Sequence, residues 1–187
     1  MKKLLFALLV APLFLLAACS EQSEPNVEAE QPQVAEPASV DTESSAATGF
    51  SYAVLDGDPL VIEEMKDRVL LVNYWAVWCK PCIEEMPELA HFREEHAAIA
   101  EVVGYNFDEP DESTLREDVG RLGVEIPVLL EDPRADFNYP LVDALPVTWA
   151  IYNGEVAGSL TGPQTGETLL RAVETVLARA QEAAITE

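Results

Sequence analysis

Apolar residues along the chain form runs of strand length that are separated by polar turns. Residues 68–77, RVLLVNYWAV, are almost continuously apolar and rich in valine and aromatic residues. Such a run is typical of a strand that is buried on both faces. Residues 100–107 and residues 126–132 predict two further strands, the second of them short.

Two other segments predict strand pairs. Residues 50–64 contain apolar stretches on either side of Asp56–Pro59, whose composition is typical of a turn. Residues 146–161 predict a hairpin, because Asn153–Gly154 is a favoured two-residue hairpin turn.

Apolar residues recur at helical spacing in the intervening segments. Residues 80–98 predict a helix, and Pro87 inside it predicts a kink, since proline removes a backbone hydrogen bond and crowds the preceding turn. Residues 113–122 predict an amphipathic helix that ends before a glycine, and residues 167–180 predict another. Residues 134–143 predict a short helix or a loop, and the glycine-rich residues 162–166 predict a turn without phosphate-binding spacing.

The order of these elements indicates an α/β fold. Alternating strands and helices favour parallel pairing, and the late hairpin adds an antiparallel edge. This plan resembles a thioredoxin-like fold. The early strand pair is then an N-terminal β-hairpin extension, and one additional helix and strand form a central α/β insertion before the hairpin.

The first 18 residues have the features of an export signal. Two lysines precede an apolar run over residues 4–16, which is too short to span a membrane as a helix. The sequence LAAC that ends at Cys19 resembles the lipobox of bacterial lipoproteins, in which the cysteine is acylated and becomes the new N-terminus. The resemblance therefore implies lipidation of Cys19 and anchoring to a membrane, and Ser20 after it is consistent with sorting to the outer membrane.

Residues 19–48 differ in composition from the rest of the chain. After the cysteine they contain seven acidic residues and three prolines, with no aromatic residue, lysine or arginine. Such a segment buries too little apolar surface to order itself, so we predict an acidic disordered tether followed by one domain over residues 49–187. The net charge of −23 argues against nucleic acid as a partner.

Cys79 and Cys82, in the sequence WCKPC, carry the candidate chemistry. A structural zinc site needs four ligands, but the two histidines, His91 and His96, lie five apart on one predicted helix and so on different faces. We therefore expect no metal. A structural disulfide across two residues closes too small a loop to stabilise the fold greatly. A redox-active pair is the favoured interpretation, although these two alternatives remain.

The position of the pair favours thiol chemistry. Cys79 falls where a strand ends and a helix begins, and the partial positive charge of a helix N-terminus stabilises a thiolate. Cys79 is therefore predicted to be the more exposed nucleophile, and Cys82, one turn further, the shielded resolving thiol. The ammonium of Lys80 favours the thiolate somewhat.

The segment NYWAVWCKPCIEEMPEL resembles the active-site segment of the TlpA/ResA-like thiol–disulfide oxidoreductases, which are membrane-tethered relatives of thioredoxin. The resemblance extends over about residues 50–180. The matching motif positions are Trp78, Cys79, Pro81, Cys82, Glu85 and Pro87.

The resemblance implies further roles. Asn73 stands where thioredoxin has a buried acid, so proton transfer would pass to Glu85 or to water, unless Glu85 is merely a solvated helix carboxylate. Leu145–Pro146 matches the family's cis-proline, which would contact substrate together with Trp78. Leucine departs from the family's usual residues before that proline, which leaves the substrate open.

The expected function is an envelope thiol–disulfide oxidoreductase without a cofactor beyond its own disulfide. It would be a lipid-anchored monomer facing the periplasm that takes electrons from a membrane donor of the thiol-reductase type and reduces disulfides of exported proteins, as relatives do in cytochrome c maturation. A disulfide-forming oxidant or isomerase is the main alternative. A peroxide-reducing enzyme and a tethered binding module without redox activity are less favoured.

Overall fold

The computed structural model describes residues 50–186. The predicted signal peptide, Cys19, Ser20 and the rest of the predicted tether lie outside these residues. Within them, no helix has both the length and the apolar character needed to cross a membrane. The strands are β1 Ser51–Tyr52, β2 Leu60–Val61, β3 Val69–Trp75, β4 Ala100–Asn106, β5 Val128–Leu129, β6 Val147–Tyr152 and β7 Glu155–Thr161. The helices are α1 Lys80–Glu95, α2 Glu112–Leu122, α3 Arg134–Phe137 and α4 Gly166–Thr186, with a 3-10 turn over Ile62–Met65.

A five-stranded sheet with the order β5-β4-β3-β6-β7 forms the centre of the fold. β3 is parallel to β4 and antiparallel to β6. Every residue of β3 is buried, which confirms the interpretation of its continuous apolar run as a central strand. This register places Asn73 beside Gly104 of β4 and Thr148 of β6.

The N-terminal hairpin extension is present, and it also contacts the main sheet. β1 and β2 pair in antiparallel fashion, as predicted, but each is only two residues long. Between them, Leu55 donates its backbone N–H to Val128 at 2.8 Å, and Leu130 donates to Ala53 at 3.0 Å. The connection therefore lies along the outer side of β5, a contact that the sequence pattern does not predict.

The helices match the predictions at most of their ends. α1 continues through Pro87. α2 begins at an Asp111 cap, whose carboxylate accepts the Thr114 N–H, and ends at Gly123 in the left-handed conformation. α4 continues to Thr186, six residues beyond its predicted end, because the added residues are mostly strong helix formers such as alanine, glutamate and glutamine.

The hairpin of β6 and β7 turns at Asn153–Gly154 as predicted, with positive φ angles of 49° and 81°. The strand predicted over residues 126–132 is reduced to the two residues of β5. Residues 134–143 contain the short helix α3 followed by irregular chain.

The sheet separates two apolar layers. On one side, β3 packs its Trp75 against α1 and α4 through a cluster that includes Leu89 and Leu169. The other side is rich in tyrosine: the Tyr74 hydroxyl donates to Asp132 and lies 2.9 Å from the hydroxyl of Tyr139. Because Tyr74 and Trp75 are consecutive on a strand, their side chains face opposite layers.

Candidate active site

Cys79 lies where the central strand passes into α1. It is the N-cap residue of that helix, with extended backbone angles, and Pro81 occupies the first helical turn, where its missing N–H costs nothing. The Cys79 N–H donates to Ala76 at 3.0 Å, and its carbonyl accepts the Ile83 N–H at 3.2 Å. The sulfur therefore sits at the positive end of a 16-residue helix.

Cys79 and Cys82 form a disulfide, with their Cα atoms 5.3 Å apart. Cys79 is 5% exposed and Cys82 is fully buried. The predicted order of accessibility is confirmed, although even Cys79 exposes little surface. A partner can therefore reach Cys79 more readily than Cys82.

Glu85 lies one turn beyond Cys82 and is only 3% exposed. One carboxylate oxygen accepts the side-chain N–H of Asn73 at 2.9 Å, and the other accepts the backbone N–H of Gln164 at 2.6 Å. The same Asn73 nitrogen donates to the Thr148 hydroxyl at 3.0 Å. The alternative that Glu85 is a solvated helix carboxylate is therefore wrong.

Burial raises the pKa of Glu85 above its ordinary value, because the charged form loses hydration. The hydrogen bonds from Gln164 and Asn73 oppose that effect, since they stabilise the carboxylate. Residues three apart on a helix share one face, so Glu85 stands beside Cys82. The site thus holds a buried proton-binding group one helical turn from the buried sulfur of Cys82.

Trp78 and Lys80 lie on either side of Cys79 and are exposed at the surface. The indole of Trp78 is 63% exposed, and its N–H donates to the Asp108 carboxylate at 2.8 Å. Val77 and Phe107 are also partly exposed, so an apolar surface adjoins Cys79. The Lys80 ammonium forms an ion pair with Glu84 rather than remaining free beside the sulfur.

The predicted cis peptide is present between Leu145 and Pro146. The Pro146 carbonyl accepts the Gly162 N–H at 2.9 Å, which connects the start of β6 to the turn before α4. Leu145 is half-buried and packs against both apolar layers. Pro146 itself is buried.

Sequence reasoning did not identify two members of the Glu85 network, Thr148 and Gln164. Thr148 could have been found, because it is a polar residue in an otherwise apolar strand. Gln164 acts through its backbone N–H, which no side-chain pattern reveals. The turn over residues 162–166 was predicted correctly, but not its contact with the site.

His91 lies on α1 and His96 is the C-cap residue of that helix, and the two side chains contact different residues. His91 is exposed and contacts Glu95 at 3.3 Å. His96 is half-buried against Phe92, with ring centroids 4.6 Å apart.

Comparisons with known proteins identify relatives of this chain. Residues 40–144 match the family model described as Redoxin. The chain is 32% identical over 113 residues to the thioredoxin-like protein YneN of Bacillus subtilis, covering 58% of this chain and 65% of that relative. It is 30% identical over 136 residues to the thiol-disulfide oxidoreductase ResA of Geobacillus kaustophilus, covering 71% of this chain and 76% of ResA.

Solved structures show the same fold. A thiol:disulfide interchange protein of the thioredoxin family from Chlorobium tepidum superposes with a TM-score of 0.55 at 25% identity, covering 69% of this chain and 93% of that one. StoA from Bacillus subtilis gives a TM-score of 0.55 at 20% identity, covering 66% and 94%.

The fold and the paired cysteines are those of a thioredoxin-like thiol–disulfide oxidoreductase. The chain belongs to the Redoxin family, and its curated relatives include proteins named ResA.

Proposed function

We propose that this protein reduces disulfides of exported proteins by dithiol–disulfide exchange at Cys79 and Cys82. The observation that carries the proposal is the burial of Glu85 one helical turn from Cys82, held by Asn73 and by the Gln164 backbone. A disulfide that served only as a staple would not need a buried carboxylate beside it.

In the proposed reaction, the Cys79 thiolate attacks one sulfur of the partner's disulfide. A mixed disulfide forms, and the partner's other sulfur leaves as a thiolate that takes a proton from water. Cys82 then loses its proton to Glu85 and attacks Cys79, which forms the internal disulfide and releases the partner's second sulfur. The partner gains two electrons, and the Cys79–Cys82 pair loses them.

The charge of Glu85 favours the reducing direction and opposes the helix N-terminus, which stabilises the Cys79 thiolate. A carboxylate next to a thiolate disfavours the ionisation of both groups, so Glu85 does not stabilise an anionic sulfur. The Lys80 ammonium is engaged by Glu84 and supplies little compensation. A less stabilised thiolate makes the dithiol a stronger reductant, since strong oxidants owe their potential to a stabilised reduced form.

The reduction potential tests this direction. Residues 49–187 would be equilibrated with glutathione or dithiothreitol buffers and the disulfide fraction measured. A value near that of thioredoxin, about −270 mV, supports a reductase, whereas a value near that of DsbA, about −120 mV, makes the protein an oxidant. Absence of reversible titration would leave only the structural interpretation.

The order of attack is tested by trapping. A Cys82→Ser variant, incubated with a disulfide-bonded polypeptide, is expected to accumulate a mixed disulfide through Cys79. A Cys79→Ser variant is the matched control and should accumulate none, because its remaining thiol is fully buried. Equal trapping by both variants would refute the assignment.

The proposed setting is the bacterial cell envelope. Lipidation of Cys19 would anchor the protein to a membrane, and a thiol-reducing membrane protein would restore the dithiol. Cytochrome c maturation is one process that consumes such electrons. Incorporation of labelled palmitate into the full chain, and its loss in a Cys19→Ala variant, would test the anchor.

A further inference from the structure

The Trp78 indole combines high exposure with a fixed orientation. It is a large apolar side chain that is 63% exposed next to the nucleophilic cysteine. An exposed side chain of this kind normally samples several rotamers. Here its N–H donates to Asp108 at 2.8 Å, which restricts the ring.

The backbone of Asp108 is itself held in place by the end of β4. The Asp108 backbone N–H donates to the Asn106 side-chain oxygen at 2.9 Å, and Asn106 is only 3% exposed. The intervening residue, Phe107, donates its N–H to the carbonyl of Trp75 at 2.8 Å. Two hydrogen bonds therefore tie this short loop to the central strands.

The other two tryptophans lack such a bond. The indole nitrogens of Trp75 and Trp149 are buried and have no hydrogen-bond partner among residues 50–186. Burial alone fixes those two rings, whereas Trp78 has little packing and depends on Asp108.

We propose that Asp108 is a positioning residue that fixes the Trp78 indole as a docking surface for polypeptide substrates, so that the protein discriminates in favour of polypeptide disulfides over small disulfides. This inference rests on the proposed disulfide exchange at Cys79. Asp108 itself would touch neither sulfur.

The effect follows from the entropy of binding. A polypeptide that packs on a freely rotating indole must immobilise it, whereas the anchored ring is ordered beforehand. Immobilising one side chain weakens binding by roughly two- to tenfold. A small disulfide that reacts at Cys79 without covering the indole avoids this cost, so its rate should not depend on Asp108.

The experiment compares wild type with Asp108→Ala, Asp108→Asn and Glu117→Ala. Asp108→Ala removes the acceptor but keeps the backbone N–H that bonds to Asn106. Asp108→Asn keeps an acceptor oxygen without the charge. Glu117→Ala removes the same charge from an exposed position on α2 and is the control. Reduced protein would be assayed with insulin as the polypeptide disulfide and with oxidised glutathione as the small one.

We expect Asp108→Ala to raise KM for insulin by about two- to tenfold and to leave kcat/KM for glutathione within about twofold. Asp108→Asn and Glu117→Ala should both have the wild-type KM for insulin. In NMR spectra, the indole N–H resonance of Trp78 is the one that disappears in Trp78→Phe. Among the three variants compared, only Asp108→Ala should shift this resonance, and the resonances of Trp75 and Trp149 should not move.

Several results would overturn the inference. An equal loss with insulin and glutathione would show an effect on the sulfur chemistry, and an unchanged KM together with an unshifted Trp78 resonance would show that the anchor has no influence. If Asp108→Asn behaved like Asp108→Ala, charge rather than positioning would be responsible. Failure of the wild type with both disulfides would instead refute the proposed function itself.

Discussion

Replacing Glu85 with glutamine should change how the stability of the domain depends on pH. The substitution preserves shape and removes only the buried charge. Its amide can also be accommodated, since the glutamine oxygen can accept the Gln164 N–H while a rotated Asn73 amide presents its oxygen to the glutamine nitrogen. The Asn73 side-chain oxygen has no hydrogen-bond partner among the described residues, so this oxygen loses no hydrogen bond when the amide rotates.

The direction of the effect follows from proton linkage. The pKa of Glu85 is raised above its ordinary 4.5 by burial, so the folded protein binds this proton more tightly than the unfolded chain does. Stability from this group is therefore fully present below the unfolded pKa and is lost as the pH rises through the folded pKa. Glutamine cannot ionise and has no such loss.

The magnitude is set by the free energy needed to ionise the buried Glu85 carboxyl. Between pH 4.5 and the raised pKa of the folded state, the free energy of unfolding of the wild type should fall relative to that of Glu85→Gln. The fall should be up to about 1.4 kcal/mol per pH unit. Below this interval the two curves should run parallel, and above it their difference should be constant.

Urea denaturation of the oxidised domain from pH 4 to pH 8, at roughly half-unit steps, measures this difference. Keeping the disulfide closed prevents the cysteines from titrating. Glu94→Gln, which changes an exposed carboxylate on the same helix, is the matched control and should give no trend. Parallel curves for wild type and Glu85→Gln, or a difference that grows as the pH falls, would refute the reasoning.

Three further substitutions test the packing around the site. Asn73→Ala removes a donor to Glu85, so the Glu85 pKa should rise further and denaturation at neutral pH should show a loss of about 1–3 kcal/mol; an unchanged pH profile would contradict the network. Tyr74→Phe removes a buried hydroxyl with two partners, and urea denaturation should show a loss of about 1–3 kcal/mol in the free energy of unfolding. An unchanged value would mean that Asp132 and Tyr139 form hydrogen bonds with water instead. Gly104→Ala places a methyl group 3.1 Å from the Trp75 indole nitrogen, and calorimetry should show a loss of about 1–3 kcal/mol unless the ring moves aside.

Much of the fold could be predicted because its central elements have strong local signals. The apolar run that forms β3 has no plausible position except the middle of a sheet, and the Asn153–Gly154 turn requires a tight hairpin. The site cysteines were identifiable because their spacing and their place between strand and helix are both local properties. Element ends were less predictable, as β5 shows, because its short length depends on pairing with β4.

The parts that could not be predicted depend on contacts between distant segments. The environment of Glu85 is made by a strand residue 12 positions earlier and by a backbone group 79 positions later. A carboxylate next to another on a helix is usually solvated, so its burial could be learned only from the folded chain. The Asp108 bond to Trp78 spans 30 positions and has the same origin.

The segment Ala53–Leu55, which hydrogen-bonds along β5, also bears on how the sheet meets other molecules. An open strand edge offers unpaired N–H and carbonyl groups to any extended chain, and such edges promote intermolecular pairing. That edge is already covered here, so among the described strands of the main sheet only β7 keeps an uncovered side. The pairing of β7 with β6 shifts register between Ala150 and Ile151, and an irregular edge is a poorer template for another strand. The N-terminal extension thus protects one side of the sheet from self-association while leaving the end that bears the cysteines free to meet its partners.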